Sequence, residues 1–205
     1  MNSNVVGVLL AGGLSRRMGG DDKMLRVVGG RTILARVIDR IGPQVDAMVL
    51  NANGDPARFS NYDLPVVGDS VAGHAGPLAG VLTGMEWAVA VHPDCGWIVT
   101  VPTDAPFLPG DLVERMVDAV RRDGADMACA ASGGRAHPVC GLWPVRLAGE
   151  LRRAMVEEEI RKVDRWTARY RLVQVDWDTA PVDPFFNANR PEDLAEAGRL
   201  LGEAP

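Results

Sequence analysis

Val5-Val6-Gly7-Val8-Leu9-Leu10, running directly into Ala11-Gly12-Gly13-Leu14-Ser15-Arg16-Arg17-Met18-Gly19-Gly20-Asp21-Asp22-Lys23, decides the fold. Six apolar residues without polar alternation read as a strand covered on both faces, the mark of a parallel sheet lying between helices. The glycines that follow read as a strand-to-helix turn able to hold an anion. Gly12 and Gly13 let backbone N–H groups approach a phosphate with no Cβ in the way, and Arg17 and Lys23 supply counter-charge. The spacing is neither Gly-x-Gly-x-x-Gly nor Gly-x-x-x-x-Gly-Lys-Ser/Thr, which takes support from dehydrogenases and P-loop hydrolases.

Working outward, the same alternation of apolar runs and helical periodicity continues. Ala47 to Leu50 and Trp97 to Val101 read as further strands. Ile33, Leu34, Val37, Ile38 and Ile41 form one helix face, ended by Gly42-Pro43. Leu78, Val81, Leu82 and Met85 form a second, and Leu112, Val113, Met116, Val117 and Val120 a third, with Gly124 just past its end. Beyond that point Met127 to Ala131 and Val139 to Trp143 read as two short antiparallel strands joined through Gly133-Gly134. One charged helix is expected from Arg146 to about Tyr170, then a strand over Leu172 to Val175 and a closing helix from Pro191 to Leu201. Pro191, Glu192 and Asp193 suit the first turn of that helix. The fold class is α/β, with a mostly parallel central sheet and a small antiparallel addition. No linker or repeat divides the chain, so residues 1–205 are expected to form a single domain.

The composition, with 47% hydrophobic and 24% charged residues, is globular. A net charge of −5 argues against sequence-independent nucleic-acid binding, which needs a basic surface. An anionic small molecule would instead be met locally by N–H groups, a few cations and a metal. Cys95, Cys129 and Cys140 form no Cys-x-x-Cys pair, and the latter two sit in apolar runs as expected of inert thiols. Neither a basic leader nor a membrane-length apolar run is seen at the N-terminus, so a cytoplasmic protein is expected.

The motif Leu-Ala-Gly-Gly-x-Ser-x-Arg-Met-Gly, with Asp22-Lys23 after it, resembles the signature of the molybdenum cofactor guanylyltransferases. So do Asn51-Ala52-Asn53, Asp69 in Val67-Gly68-Asp69, Gly76-Pro77-Leu78-Ala79-Gly80 and Pro102-Thr103-Asp104-Ala105-Pro106-Phe107. His137-Pro138, Arg161-Lys162 and Phe186-Asn187-Ala188-Asn189-Arg190-Pro191-Glu192 follow in the same order. The likeness is thinnest between Arg146 and Asp183. It implies a Rossmann-like three-layer nucleotidyltransferase fold and transfer of GMP from GTP to molybdenum-molybdopterin with release of pyrophosphate. Leu10, Ala11, Gly12, Gly13, Ser15, Lys23, Asn51, Asp69, Gly80 and Asp104 would then form the nucleotide site. Asn51 and Asp69 would meet base or ribose, and Asp104 would hold Mg2+. Arg17, Lys23 and Asp104 would be catalytic. His137, Arg161, Lys162, Asn187 and Asn189 would face the acceptor.

Several of these residues have plainer readings. Asp104 before Pro106 also suits an Asx turn. Asn189 also suits the cap of the last helix, His137 a bond to a neighbouring carbonyl, and Arg161 and Lys162 a solvated helix face. No Ser-His-Asp or Cys-His constellation is evident, as expected for a reaction whose nucleophile is an already ionised phosphate. The competing functions are a cytidylyltransferase or other nucleotidyltransferase, and a non-catalytic nucleotide-binding chaperone. Protein partners implied by the resemblance are molybdoenzymes or cofactor-delivery proteins, with no nucleic acid or membrane.

Overall fold

A computed structural model describes residues 4–11, 23–73 and 76–202. Nine strands precede, separate or follow six helices: β1 (Val5–Leu10), β2 (Val27–Val28), β3 (Arg31–Thr32), α1 (Ile33–Ile41), β4 (Ala47–Asn51), β5 (Val66–Val67), α2 (Pro77–Val91), β6 (Trp97–Pro102), α3 (Leu112–Asp123), β7 (Met127–Ser132), β8 (Arg135–Pro144), α4 (Ala148–Val156), α5 (Val163–Thr167), β9 (Leu172–Trp177) and α6 (Pro191–Leu200), counted among the described residues. Seven of the strands form one sheet in the order β5-β4-β1-β6-β8-β7-β9, and β2 and β3 form a separate antiparallel pair. Within the large sheet only β8 runs against its neighbours.

The side-chain alternation of β1 shows why the sheet needs two helical layers. Val5 and Leu9 pack with Leu34, Val37 and Ile41 of α1 and with Leu112 and Met116 of α3. Val6 and Val8 pack on the opposite face with Leu78, Leu82 and Met85 of α2 and Leu151 and Met155 of α4. Every side chain of β1 up to Leu9 is therefore out of water, which accounts for its unbroken apolar run.

Local chemistry sets the ends of these elements. Thr32 caps α1, its Oγ1 accepting the Ala35 N–H at 3.2 Å. Gly124 closes α3 at φ 57°, a conformation that suits glycine. The turn between β7 and β8 places Gly133 at φ 54° and Gly134 at φ 74°. Positive φ at both positions is the mirror-image turn whose twist matches a hairpin. That hairpin belongs to the large sheet, where β8 lies between β6 and β7.

One expected element divides into two. The helix expected across Arg146 to Tyr170 ends as α4 at Val156 and resumes as α5 at Val163. Glu159 takes φ 56°, turning the chain so that Ile160 enters the core at 8% exposure. A continuous helix would place three consecutive glutamates on successive faces and leave Ile160 without its core contacts. Glu157, Glu158 and Glu159 are exposed, with Glu158 paired to Arg169.

Candidate active site

The register of the parallel strands assembles the site. Leu10 lies opposite Asn51 of β4 on one side and Pro102 of β6 on the other. Asn51 in turn lies opposite Val67 of β5. The segments that follow these residues therefore leave the sheet together at its carboxyl rim. They carry Ala11, Asn53, Asp69 and Asp104. Backbone bonds tie this rim: the Ala11 N–H donates to the Asn51 carbonyl at 2.9 Å, and the Thr103 hydroxyl to the Leu10 carbonyl at 3.2 Å. β1 sits where the strand order reverses, since the chain moves to β4 on one side and later returns to β6 on the other. In open α/β sheets this is where ligands bind.

On the β4 side, two amides bracket the Asp69 carboxylate. Asn51 Nδ2 donates to Asp69 Oδ1 at 3.1 Å and to the Val67 carbonyl at 3.3 Å, while Asn53 Nδ2 donates to Asp69 Oδ2 at 2.7 Å. Asn53 Oδ1 also accepts the Asp69 N–H at 2.9 Å. Asn51 is 2% exposed and both its amide hydrogens are engaged. Asp69 stays partly exposed, and its carboxylate oxygens can accept hydrogen bonds from N–H or O–H groups of a ligand. Asn53 stands in the signature triplet Asn51-Ala52-Asn53 but carries no assigned role there; its place two residues after Asn51, beyond the strand end, is the available signal. Gly80 lies under Asn51, where a Cβ would come 2.4 Å from Asn51 Oδ1.

On the β6 side stands Asp104. Its Oδ1 is buried and lacks a hydrogen-bond partner among the described residues. Burial raises its carboxyl above the ordinary aspartate range, its own backbone N–H works the other way, and the Lys23 ammonium lowers it further. Lys23, exposed in a single 3-10 turn over Lys23–Leu25, thus lies near enough to Asp104 to act on its charge. An orphaned carboxylate oxygen across from a lysine is poor design for a mere turn. It fits a hard-cation ligand. No group of three or more His, Cys, Asp and Glu side chains forms a metal cage among the described residues. A cation here would take its remaining ligands from phosphate and water, the habit of Mg2+.

The other half of the same rim is built by β7, β8 and β9. Ser132 ends β7 opposite Trp177 of β9, and His137 lies near the start of β8. His137 does not bond a neighbouring carbonyl through its ring: Nε2 meets Ser132 Oγ at 2.7 Å, and the imidazole stacks on Phe185 at 4.6 Å between centroids. The loop carrying Asn187 and Asn189 then crosses to Asp104, whose carbonyl accepts the Ala188 N–H at 2.9 Å. Both asparagine side chains are exposed. Asp193, not Asn189, supplies the capping oxygen of α6, accepting the Asn189 and Arg190 N–H groups at 3.0 and 2.8 Å. Arg161, in the loop between α4 and α5, is held against the end of α4, Nη1 donating to the Met155 and Ile160 carbonyls at 2.6 and 3.2 Å. Its carbonyl lies 3.6 Å from the Cβ position of Gly76, at the start of α2, so Arg161 and the exposed Lys162 also border this rim.

Gly12, Gly13, Ser15 and Arg17 lie outside the described residues. Leu10, Ala11, Lys23, Asn51, Asp69, Gly80, Asp104, His137, Arg161, Lys162, Asn187 and Asn189 all belong to segments at one end of the sheet. Cys129 and Cys140 are buried, the Cys129 thiol being pushed up to about 11 by burial, which matches unreactive thiols. Among the described residues no helix is long and apolar enough to cross a membrane.

Comparison with known proteins agrees with this geometry. The MobA-like NTP transferase domain matches residues 7–173. The molybdenum cofactor guanylyltransferase of Rhodopseudomonas palustris (strain BisB5) is 58% identical over 193 residues, covering 94% of this chain and 92% of that protein. The protein of the same name from Bradyrhizobium sp. (strain ORS 278) is 59% identical over 196 residues, covering 96% and 92%. Among solved structures, the molybdopterin-guanine dinucleotide biosynthesis protein A of Archaeoglobus fulgidus shares the fold, with a TM-score of 0.73 at 23% identity over 96% of this chain and 98% of that one. A signature spread from the first strand to the last helix, a mostly parallel sheet with its polar residues gathered at one rim, and these relatives together place the chain in the MobA-like NTP transferases, as a member of the molybdenum cofactor guanylyltransferase family.

Proposed function

We propose that this chain transfers GMP from GTP to molybdenum-molybdopterin, forming molybdopterin guanine dinucleotide and pyrophosphate. The observation that carries the reading is the register of Leu10, Asn51, Val67 and Pro102, which brings Ala11, Asp69 and Asp104 to one rim, with the Lys23 charge beside an Asp104 oxygen that has no partner among the described residues. The whole chain acts as one domain, its N-terminal half taking the nucleotide and its C-terminal half the acceptor.

In this reading Gly12, Gly13, Ser15 and Arg17 serve the triphosphate with N–H donors and positive charge. Lys23 neutralises charge as pyrophosphate leaves. Asp69 accepts from the base or ribose, and Asn51 serves the site by holding Asp69 in place. Asp104 would hold Mg2+, which when bound supplies charge neutralisation on the phosphates. The acceptor phosphate attacks the α-phosphorus of GTP; it is already ionised near neutral pH, so no side chain has to take a proton from it. Asn187, Asn189, Arg161, Lys162 and His137 orient the acceptor. The protein works in the cytoplasm, where it meets molybdoenzymes or cofactor-delivery proteins.

Thermal stabilisation by each magnesium nucleoside triphosphate tests the nucleotide half. At a hundredfold excess over Kd, binding contributes about 2.7 kcal/mol, which raises Tm by roughly 5–10 °C for a chain of this length. GTP is expected to give this shift and CTP, ATP and UTP less, with Lys23→Ala weakening it. Equal shifts with all four would remove the case for guanine. Pyrophosphate release on adding molybdenum-molybdopterin separates transfer from mere nucleotide binding.

A further inference from the structure

The acceptor half of the rim contains a chain of three polar side chains whose proton order is fixed by counting donors. Asp183 Oδ1 accepts the Ser132 hydroxyl at 2.9 Å and the Phe185 N–H at 2.9 Å. An ionised carboxylate only accepts, so the single proton of Ser132, a residue 2% exposed, is committed to Asp183. At the 2.7 Å contact between Ser132 Oγ and His137 Nε2 the hydrogen must therefore come from the histidine. The order is the reverse of a hydrolytic triad, where serine points its proton at the imidazole. Ser132 is accordingly no nucleophile.

This order leaves His137 Nδ1 as the unassigned edge of the ring, without a hydrogen-bond partner among the described residues. Stacking fixes the ring in addition. Phe185 lies 4.6 Å away at an interplanar angle of 25°, and is itself met edge-on by Trp177 at 5.5 Å. Arg115 covers Trp177 at 4.4 Å. Desolvation favours the neutral imidazole; of the charged groups acting on it, Asp183, from the C-terminal loop, opposes this and Arg135, from the hairpin, adds to it, the balance lowering the ring's pKa. A neutral imidazole protonated at Nε2 presents a lone pair at Nδ1, which attracts an N–H group and repels a phosphate oxygen.

We propose that Asp183 and Ser132 are positioning residues for the acceptor half of the site, fixing His137 so that Nδ1 accepts a hydrogen bond from an N–H group of a pterin-type heterocycle instead of contacting the acceptor's phosphate. The same loop is anchored at its far end where the Ala188 N–H meets the Asp104 carbonyl, so the heterocycle and the phosphate-transfer centre are held at a set separation. This inference rests on the functional reading above.

The test combines a spectroscopic and a kinetic measurement on the full chain. The imidazole 15N signals of His137 should show the Nε2-protonated tautomer. Ser132→Ala and Asp183→Ala should each raise the acceptor KM about fivefold, the size of one neutral hydrogen bond, and leave the GTP KM unchanged. Asp183→Asn retains an accepting oxygen and should restore most of the loss. Competition by a phosphate-free pterin should weaken in parallel, whereas competition by inorganic phosphate should not. Should Ser132→Ala fail to fold, the Asp183 pair decides alone. An Nδ1-protonated ring, a joint rise of both KM values, or a loss confined to phosphate competition would overturn the proposal. A wild type that releases no pyrophosphate from GTP and acceptor defeats the functional reading itself; an active wild type with unmoved variants defeats only this inference.

Discussion

Asp104→Ala is expected to lower kcat for pyrophosphate release by a factor on the order of 10³ while the chain melts at or slightly above the wild-type temperature. The two halves of that expectation have one cause. Asp104 Oδ1 is buried with no partner among the described residues, and burial disfavours its charge. Such a group costs folding free energy unless a ligand repays it, so its removal relieves the native state. The backbone contact of this turn, the Ala188 N–H to the Asp104 carbonyl, does not involve the side chain and survives. Asp104→Asn should behave alike in activity, since it keeps the shape and loses the charge that holds a divalent cation. A lower Tm with normal kcat per folded molecule would return Asp104 to the turn-forming role.

What the sequence disclosed about this site divides along a physical line. Strands buried on both faces lose polar alternation, so Val5–Leu10 and the run Trp97 to Val101, with Thr100 its single polar residue, could be read without partners in view. Residues at the ends of such strands must gather at one rim, which is where the roles implied by the resemblance put Asn51 and Asp104. β2, β3 and β5 have two residues each, too few for any periodicity, and β5 exists only because Leu50 and Asn51 offer it an edge. The break at Glu159 was likewise hidden, because it depends on which core Ile160 reaches.

The polar partnerships were the least legible part. Asn53 meets Asp69 across 16 residues, and Ser132 meets Asp183 across 51. Neither pair leaves a local spacing to read, and each is set by tertiary approach. The family resemblance gave His137 and Asp69 roles without revealing what holds them. Their supporting residues come from the fold.

The second large effect concerns two glycines one helical turn apart on α2. Gly80 and Gly84 lie over Leu10 and Val8, successive side chains on one face of β1. A Cβ at Gly84 would fall 2.5 and 2.8 Å from the Val8 methyls and 3.2 Å from Val8 Cβ. Val8 is β-branched and fully buried, so it has no rotamer into which to retreat. Gly84→Ala must therefore lift α2 from the sheet, an overpacking that costs about 2–3 kcal/mol and lowers Tm by roughly 5–10 °C. At Gly80 the added Cβ meets Asn51 Oδ1 at 2.4 Å and Leu10 Cδ2 at 2.5 Å, the far ends of side chains that can turn away. Turning Asn51 breaks its bonds to Val67 and Asp69. Gly80→Ala should then leave Tm within a few degrees and weaken GTP binding about tenfold, the loss of one hydrogen bond to a charged group. The pair thus predicts a crossed result, stability lost at one glycine and nucleotide binding at the other, measured by melting with and without magnesium-GTP. If Gly80→Ala bound GTP like the wild type, the Asn51–Asp69 arrangement would have no part in holding the nucleotide.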